Sequence, residues 1–511
     1  MATDNNLSER VIAAVDLGSS KIALGIARVE GNNTQILFYR SVPSRGIAYS
    51  EVRNPGHTGA VLKDLIRNAE EELNITIRQV VVGLPRCNVR QADATGTLTR
   101  SVPEDCITME EVAAIKDMAQ ESLSSSTGGK EKIYGVIAQS FSTDDYFQLI
   151  ENDVVGMTGD ELSGHFKVFL GKSTPIINLT RVFNDLGLGI SRTYFTPLAT
   201  AKAVLTEEET GNGVALLDMG AGTTSISIFE KKVLVDYASI PFGGNTITGD
   251  IHTECGISER LADNIKKAYG GCMPDKLQTL GDKIIQIETD DMSAYRQVPV
   301  SYLSEIITAR AKEIIDAMLY EIQQSGLAND LRKGLVITGG GAEMLNIANY
   351  IKELSGYNVR VAYPRHGFVA TGCEDILETD ASTLVGMLLM ARDEGLNGCL
   401  YNGTVPAEEK QEKAEPETVK EVPVNAEAAP EKTAGETEPE KKGIDPEEED
   451  SAEAGHSAGA DSGVKEEKVK EQDKVREEKP RKEKSSLWNR LKFNFVDKVQ
   501  KFNDEIDKQE L

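Results

Sequence analysis

Apolar residues recur along this chain with two distinct periods. Residues 11–18 (VIAAVDLG) and 21–29 (KIALGIARV) are short apolar runs separated by two small polar residues. That pattern predicts two strands joined by a tight turn. Residues 59–73 (GAVLKDLIRNAEEEL) carry apolar positions at helical spacing, and 79–84 (QVVVGL) reads as a buried strand. A polar, less regular region follows to about residue 172. It holds a helix near 108–123 and a Ser/Gly-rich surface loop at 122–132. Residues 177–188 read as another helix, and 213–220 with 223–230 as a second strand–turn–strand. Residues 300–326 form one long amphipathic helix ending at Gly326, and 333–345 read as strand, glycine turn and helix start. Strands alternating with helices predict a mixed α/β fold.

One pattern occurs twice. Residues 13–26 (AAVDLGSSKIALGI) and 215–228 (ALLDMGAGTTSISI) share a strand ending in Asp, then Gly, small or polar residues, and a second apolar strand. Asp16 and Asp218 stand 202 positions apart, which predicts two related lobes facing one another across a cleft. Glycine in each turn permits positive φ and leaves no side chain to hold a phosphate away. Ser19, Ser20, Ala221, Gly222 and Thr223 let turn N–H groups and hydroxyls reach phosphate oxygens. Asp16 and Asp218 would then face a Mg2+ ion through its waters, because Mg2+ dehydrates reluctantly, and Lys21 would offset phosphate charge. A lone DLGSS reads more readily as an ordinary Asp/Gly turn; the matched second copy argues against that. Gly339, Gly340 and Gly341 follow a buried strand and allow close backbone approach to a flat ring or a sugar. Taken alone, they read as a helix N-terminal turn.

In this order and spacing, DLGSSK, LLDMGAGTTSISI and VITGGGAEM resemble the two phosphate motifs and the adenosine motif of the actin-like ATPase superfamily. FTPLATAKAVL (195–205) and DASTLVGMLLMA (380–391) resemble its two connecting helices. Within the superfamily the chain most resembles the FtsA cell-division family. Residues 79–96 and 152–172 resemble the entry to and exit from that family's inserted subdomain 1C. PFGGNTITGDI and ERLADNIKKAYG resemble its path into subdomain 2B. The resemblance implies a two-lobed actin-like ATPase fold with ATP and Mg2+ as cofactors. Its organisation would be 1–84 and 175–208 for the first lobe (1A), 85–174 for 1C, 209–243 and 326–402 for the second lobe (2A), and 244–325 for 2B. It places Asp16, Gly18, Ser19, Ser20, Lys21, Asp218, Gly220, Ala221, Gly222, Thr223, Thr224, Gly244, Lys266, Gly339, Gly340, Gly341 and Ala342 at the nucleotide. One departure stands out. Hydrolysing relatives often carry Glu just before the Pro of FTPLAT, and actin has Gln, to orient the attacking water. Here Thr196 occupies that position, which predicts ATP binding with slow or undetectable hydrolysis.

Charge narrows the class. The chain has a net charge of -26, of which residues 1–402 carry -16 and residues 403–484 carry -10. So acidic a body is a poor general binder of nucleic acid, which needs Lys and Arg against its phosphates. The six cysteines (Cys87, Cys106, Cys255, Cys272, Cys373, Cys399) show no C-x-x-C spacing, which argues against a zinc site or a dithiol redox motif. His165, His252 and His366 read better as satisfied or exposed histidines than as metal ligands. FLGKSTP is not a P-loop, because Phe166 stands where the first glycine is required. The N-terminus is polar and no apolar run approaches the ~18 residues of a spanning helix, so the protein is expected in the cytoplasm.

Residues 403–484 contain no Leu and no aromatic residue, and are expected to form a disordered linker with a span of roughly 50 Å. Residues 485–508 then bring the chain's only Trp. On a helix, Leu487, Trp488, Leu491, Phe495, Val499, Phe502 and Ile506 fall on one face about 120° wide. From residue 484 to residue 501, Lys484, Arg490, Lys492, Lys498 and Lys501 stand against the single acid Asp497; further acids follow only after Phe502. This predicts an interfacial membrane helix on anionic lipid; docking onto the body or a partner is the alternative. The family resemblance adds self-association into filaments, the FtsZ C-terminal tail and other division proteins as partners, at the inner face of the cytoplasmic membrane. It points to Arg310, on the exposed side of LSEIITARAKEI, as the FtsZ contact, against a plain solvated helix face. A PilM-like pilus adaptor and a small-molecule kinase of the same superfamily are the alternatives.

Overall fold

The computed structural model describes residues 10–124, 129–288 and 295–400. The linker and terminal helix expected from the sequence lie outside the described residues, as do residues 125–128 of the Ser/Gly-rich loop. The chain opens with strands β1 (Arg10–Leu17), β2 (Lys21–Glu30) and β3 (Asn33–Pro43). Helix α1 (Pro55–Leu73) and β4 (Gln79–Leu84) follow. An inserted unit then holds β5 (Arg90–Thr99), α2 (Met109–Ser124), β6 (Glu131–Thr143) and β7 (Glu161–Lys172). The chain returns through α3 (Ser173–Asp185), β8 (Gly189–Phe195) and α4 (Thr196–Val204). Its second half begins with β9 (Val214–Met219), β10 (Thr224–Glu230) and β11 (Val233–Ile240). It continues through α5 (Gly244–Cys255), α6 (Glu259–Tyr269) and α7 (Val300–Gln324). Strand β12 (Leu335–Thr338), α8 (Ile347–Ser355), β13 (Val359–Val361) and α9 (Ser382–Asp393) complete it.

The duplication extends beyond the two hairpins. The first sheet has the order β3-β2-β1-β4-β8 and the second β11-β10-β9-β12-β13. In each, three antiparallel strands are followed by two parallel ones. Even the registers match: Asp16 lies opposite Ala23, and Asp218 opposite Ser225, each seven residues on.

Burial follows the pattern of the strands. One face of the first sheet (Val15, Leu24, Val80, Val82) is covered by Leu62, Leu65 and Ile66 of α1 and by Val182 and Phe183 of α3. The other face packs on α4 and α9, and the same apolar cluster continues into Leu216, Tyr237 and Val336 of the second sheet. Thus the α4–α9 pair joins both sheets through one core. Their approach is close because residue 386 is glycine: a Cβ there would meet the Ala199 carbonyl oxygen at 1.7 Å.

Three elements differ from the sequence reading. Helix α1 begins at Pro55 rather than residue 59, because the Asn54 side chain accepts from the His57 N–H at 3.0 Å and Pro55 fits the first turn. Strand β3 was not anticipated, although Thr34, Ile36 and Phe38 alternate inward along it. The polar region 90–172 is a three-stranded sheet, order β5-β7-β6, rather than irregular chain. Its strands bury one face under Val112, Ile115 and Ala119 of α2, while polar residues on the other face mask the alternation.

The α4–α9 contact yields a stability test. Gly386→Ala should cost about 1–3 kcal/mol by overpacking. Gly59→Ala, in α1 with no atom near the added Cβ, should be neutral or gain up to about 1 kcal/mol. Denaturant midpoints of the two variants check the contrast.

Candidate functional site

Both hairpin turns close in the same way. The Gly18 N–H donates to the Lys21 carbonyl at 3.0 Å, and the Gly220 N–H to the Thr223 carbonyl at 2.9 Å. The two turns line a cavity of about 600 Å3 together with Gly244, Lys266 and Gly339–Gly341, a volume in the usual range for small-ligand sites. Gly339 has a φ of 84°, and a Cβ there would strike the Asp218 carboxylate at 2.6 Å, so the third glycine segment is pressed onto the end of β9.

The lobes meet at the cavity floor. A Cβ on Gly222 would lie 2.6 Å from the Ser19 hydroxyl oxygen, so the second turn touches the first only because it is glycine. The Ser19 hydroxyl accepts from the Ser50 N–H at 2.8 Å, and the Ser50 hydroxyl bonds that of Thr223 at 3.2 Å. Tyr49 and Ser50 take positive φ (53° and 62°), a strained turn that brings this hydroxyl across the cleft.

Cations line the same cavity. Lys21 pairs with Asp380 at 2.6 Å and donates to the Tyr39 hydroxyl at 3.0 Å. Burial works against its charge, but Tyr39 and Asp380 outweigh that and raise its pKa. Lys266 donates to the Gly244 carbonyl at 2.9 Å and the Thr248 hydroxyl at 2.6 Å, and pairs with Asp263 at 2.9 Å. Burial dominates there and lowers its pKa, so an anion in the cavity would find a cation short of compensation.

The two aspartates expected from the sequence to face a metal are met by a guanidinium of the chain itself. The Arg86 guanidinium, from the loop after β4, pairs directly with Asp218. Burial raises the Asp16 pKa, and Arg86 is the strongest influence opposing that rise. For Arg86 itself, burial disfavours the charge, but Asp218 and then Asp16 outweigh it and raise the pKa. A Mg2+ ion bridged by water to both carboxylates would compete with this guanidinium, so the side chains do not fit a divalent ion there. Among the described residues no group of three or more His, Cys, Asp or Glu is placed to hold a metal. A nucleotide does fit, because the glycine turns leave open the cradle that side chains would fill.

Of the residues expected at the nucleotide, all but Thr224 and Ala342 line the cavity. Ala342 is buried behind it, and the Thr224 hydroxyl is buried without a hydrogen-bond partner among the described residues. Thr196 does not line it either; the side chain is 3% exposed and its hydroxyl donates to the Leu84 carbonyl at 3.2 Å. Arg310 is not free for a partner. Its guanidinium is held bidentate by Asp250 at 2.6 and 2.9 Å and pairs with Glu313 at 2.6 Å. Sequence reasoning missed Arg86, Ser50, Asp263, Glu343 and Asp380 in the cavity wall. All six cysteines are unpaired.

The family model for cell division protein FtsA matches residues 215–386. The cell division protein FtsA of Neisseria meningitidis serogroup B is 29% identical over 405 residues, covering 78% of this chain and 93% of the relative. That of Enterococcus faecalis is 29% identical over 355 residues, covering 69% and 78%. The chain is thus similar to FtsA proteins over most of its length. Among solved structures, the PilM–PilN type IV pilus biogenesis complex shares the fold, with a TM-score of 0.52 at 14% identity over 74% of this chain and 97% of that one. The second turn, the glycine segment and the start of α9 lie within the residues that the FtsA model matches.

The Gly222 contact gives a direct test of the cavity. Gly222→Val, by wedging Ser19 away, should weaken binding of a fluorescent ATP analogue at least about tenfold, or about 1.4 kcal/mol. Gly249→Ala, where the added Cβ meets nothing, should leave it unchanged.

Proposed function

We propose that this chain is an ATP-binding, actin-like cell-division protein that self-associates and tethers FtsZ to the inner face of the cytoplasmic membrane. One observation carries the nucleotide part: three glycine-bearing segments from two duplicated sheets line a single cavity. The turn at Gly18–Lys21 and that at Gly220–Thr223 would hold the phosphates through backbone N–H groups. Gly244, Lys266 and Gly339–Gly341 would hold the nucleoside. ATP supplies a polyanionic chain that both lobes can grip at once. Slow hydrolysis is supported by Thr196, whose hydroxyl is turned to Leu84 rather than to the cavity.

The membrane part rests on the sequence of residues 485–508, with its Trp, Phe and Lys/Arg on one amphipathic period. No described helix is long and apolar enough to cross a membrane, so a peripheral anchor is the arrangement proposed. A single such helix binds weakly, and self-association would multiply the helices per particle and convert weak binding into avidity. The family relationship supports FtsZ and other division proteins as partners. Arg310 is poorly placed for an acidic FtsZ tail, which would have to displace Asp250 and Glu313. A PilM-like adaptor shares the fold, but the sequence relatives favour division over pilus assembly.

Co-sedimentation with vesicles containing anionic lipid tests this reading, with ATP present or absent. The full chain should pellet with vesicles and more so with ATP, whereas a chain ending at Lys484 should stay in the supernatant. Vesicle binding that survives this truncation would remove the anchor from the account.

A further inference from the structure

Two acidic strand ends converge on the cleft floor, and a cation from the protein already lies against them. Arg86 is on the loop that leaves β4, while Asp218, 132 residues later, ends β9. Their ion pair therefore crosses from one lobe to the other, inside the cavity wall that also holds Asp16. The backbone around Arg86 is fixed. Its carbonyl accepts from the Tyr237 hydroxyl at 2.6 Å, and Tyr237 stands edge-on to Phe195 and Phe169. Cys87 beside it is buried, and Asn88 takes a φ of 55° to turn the chain.

We propose that Arg86 is the cation of this nucleotide site, so that nucleotide binds without a divalent metal ion. The inference rests on the nucleotide reading above. Buried Asp218 and half-buried Asp16, side by side, call for a positive charge nearby, and Arg86 supplies it within the chain. A divalent ion entering beside Asp16 and Asp218 would have to expel a guanidinium that has no other acid within its hydrogen bonds. The guanidinium is suited to the task. Of its five N–H donors, one is engaged in a hydrogen bond among the described residues, which leaves a planar fork to face phosphate oxygens. The cavity cations Lys21 and Lys266 pair with Asp380 and Asp263, whereas Arg86 pairs with Asp218. Arg86 is thus the residue placed where phosphates, Asp16 and Asp218 would meet.

Titration calorimetry of the full chain with ATP and ADP, in EDTA and then in excess Mg2+, tests this. The wild-type protein should bind with affinities that agree within about twofold in the two buffers. Arg86→Lys, which keeps the charge but loses the planar fork, should bind in EDTA more weakly than the wild type and more tightly than Arg86→Gln. Arg86→Gln should bind at least about tenfold more weakly in EDTA and recover affinity in Mg2+. Its melting temperature without nucleotide should also rise on adding Mg2+, whereas that of the wild type should not. Wild-type binding that falls tenfold or more in EDTA would overturn the role of Arg86 while leaving the nucleotide site standing. Absence of nucleotide binding by the wild type in both buffers would overturn the nucleotide reading itself.

Discussion

Two carboxylates at the ends of duplicated strands share a low-dielectric cleft floor, and like charges placed there repel unless a cation compensates them. That constraint follows from the fold, because each sheet brings its first strand to the same place with the same register. In this chain the Arg86 guanidinium provides the compensation and, in doing so, ties the loop after β4 to the end of β9. Removing one partner of such a pair strands the other, a cost of about 3–5 kcal/mol for buried pairs. The pair therefore links the two lobes at the point where the proposed ligand would enter.

Around this point the remaining contacts are small and numerous. Glycine at 222 lets the second turn rest on Ser19, and the Ser50–Thr223 hydroxyl pair adds a polar link. Behind the cleft, the α4–α9 pair carries apolar burial from one sheet to the other. Such an arrangement suits a hinge: a continuous apolar core at the back, and polar contacts in front that a polyanion can replace. Helix α7 and the inserted three-stranded unit do not line this cleft, and Arg310 on α7 is held by Asp250.

The hairpins were legible in the sequence because turn chemistry is local: Asp, Gly and small residues at fixed offsets specify the turn wherever it occurs. Gly339–Gly341 was legible for the same reason. Arg86 was not, since PRCN looks like any loop and its partner lies 132 residues away. Arg310 failed for a similar reason: capture by Asp250, 60 residues earlier, cannot be read from a helix face. The inserted sheet was hidden because its strands are only half buried, and Thr196 because a Leu84 carbonyl competes for its hydroxyl. Local signals gave the motifs, and tertiary partners decided which side chains remain available.

The central claim is that a nucleotide bridges the two lobes, and hydrogen–deuterium exchange with and without ATP measures that most directly. The account predicts slowed exchange in residues 17–22, 219–224 and 338–343 together, one segment from the first sheet and two from the second. Protection confined to one lobe, or unchanged exchange in all three segments at saturating ATP, would contradict it.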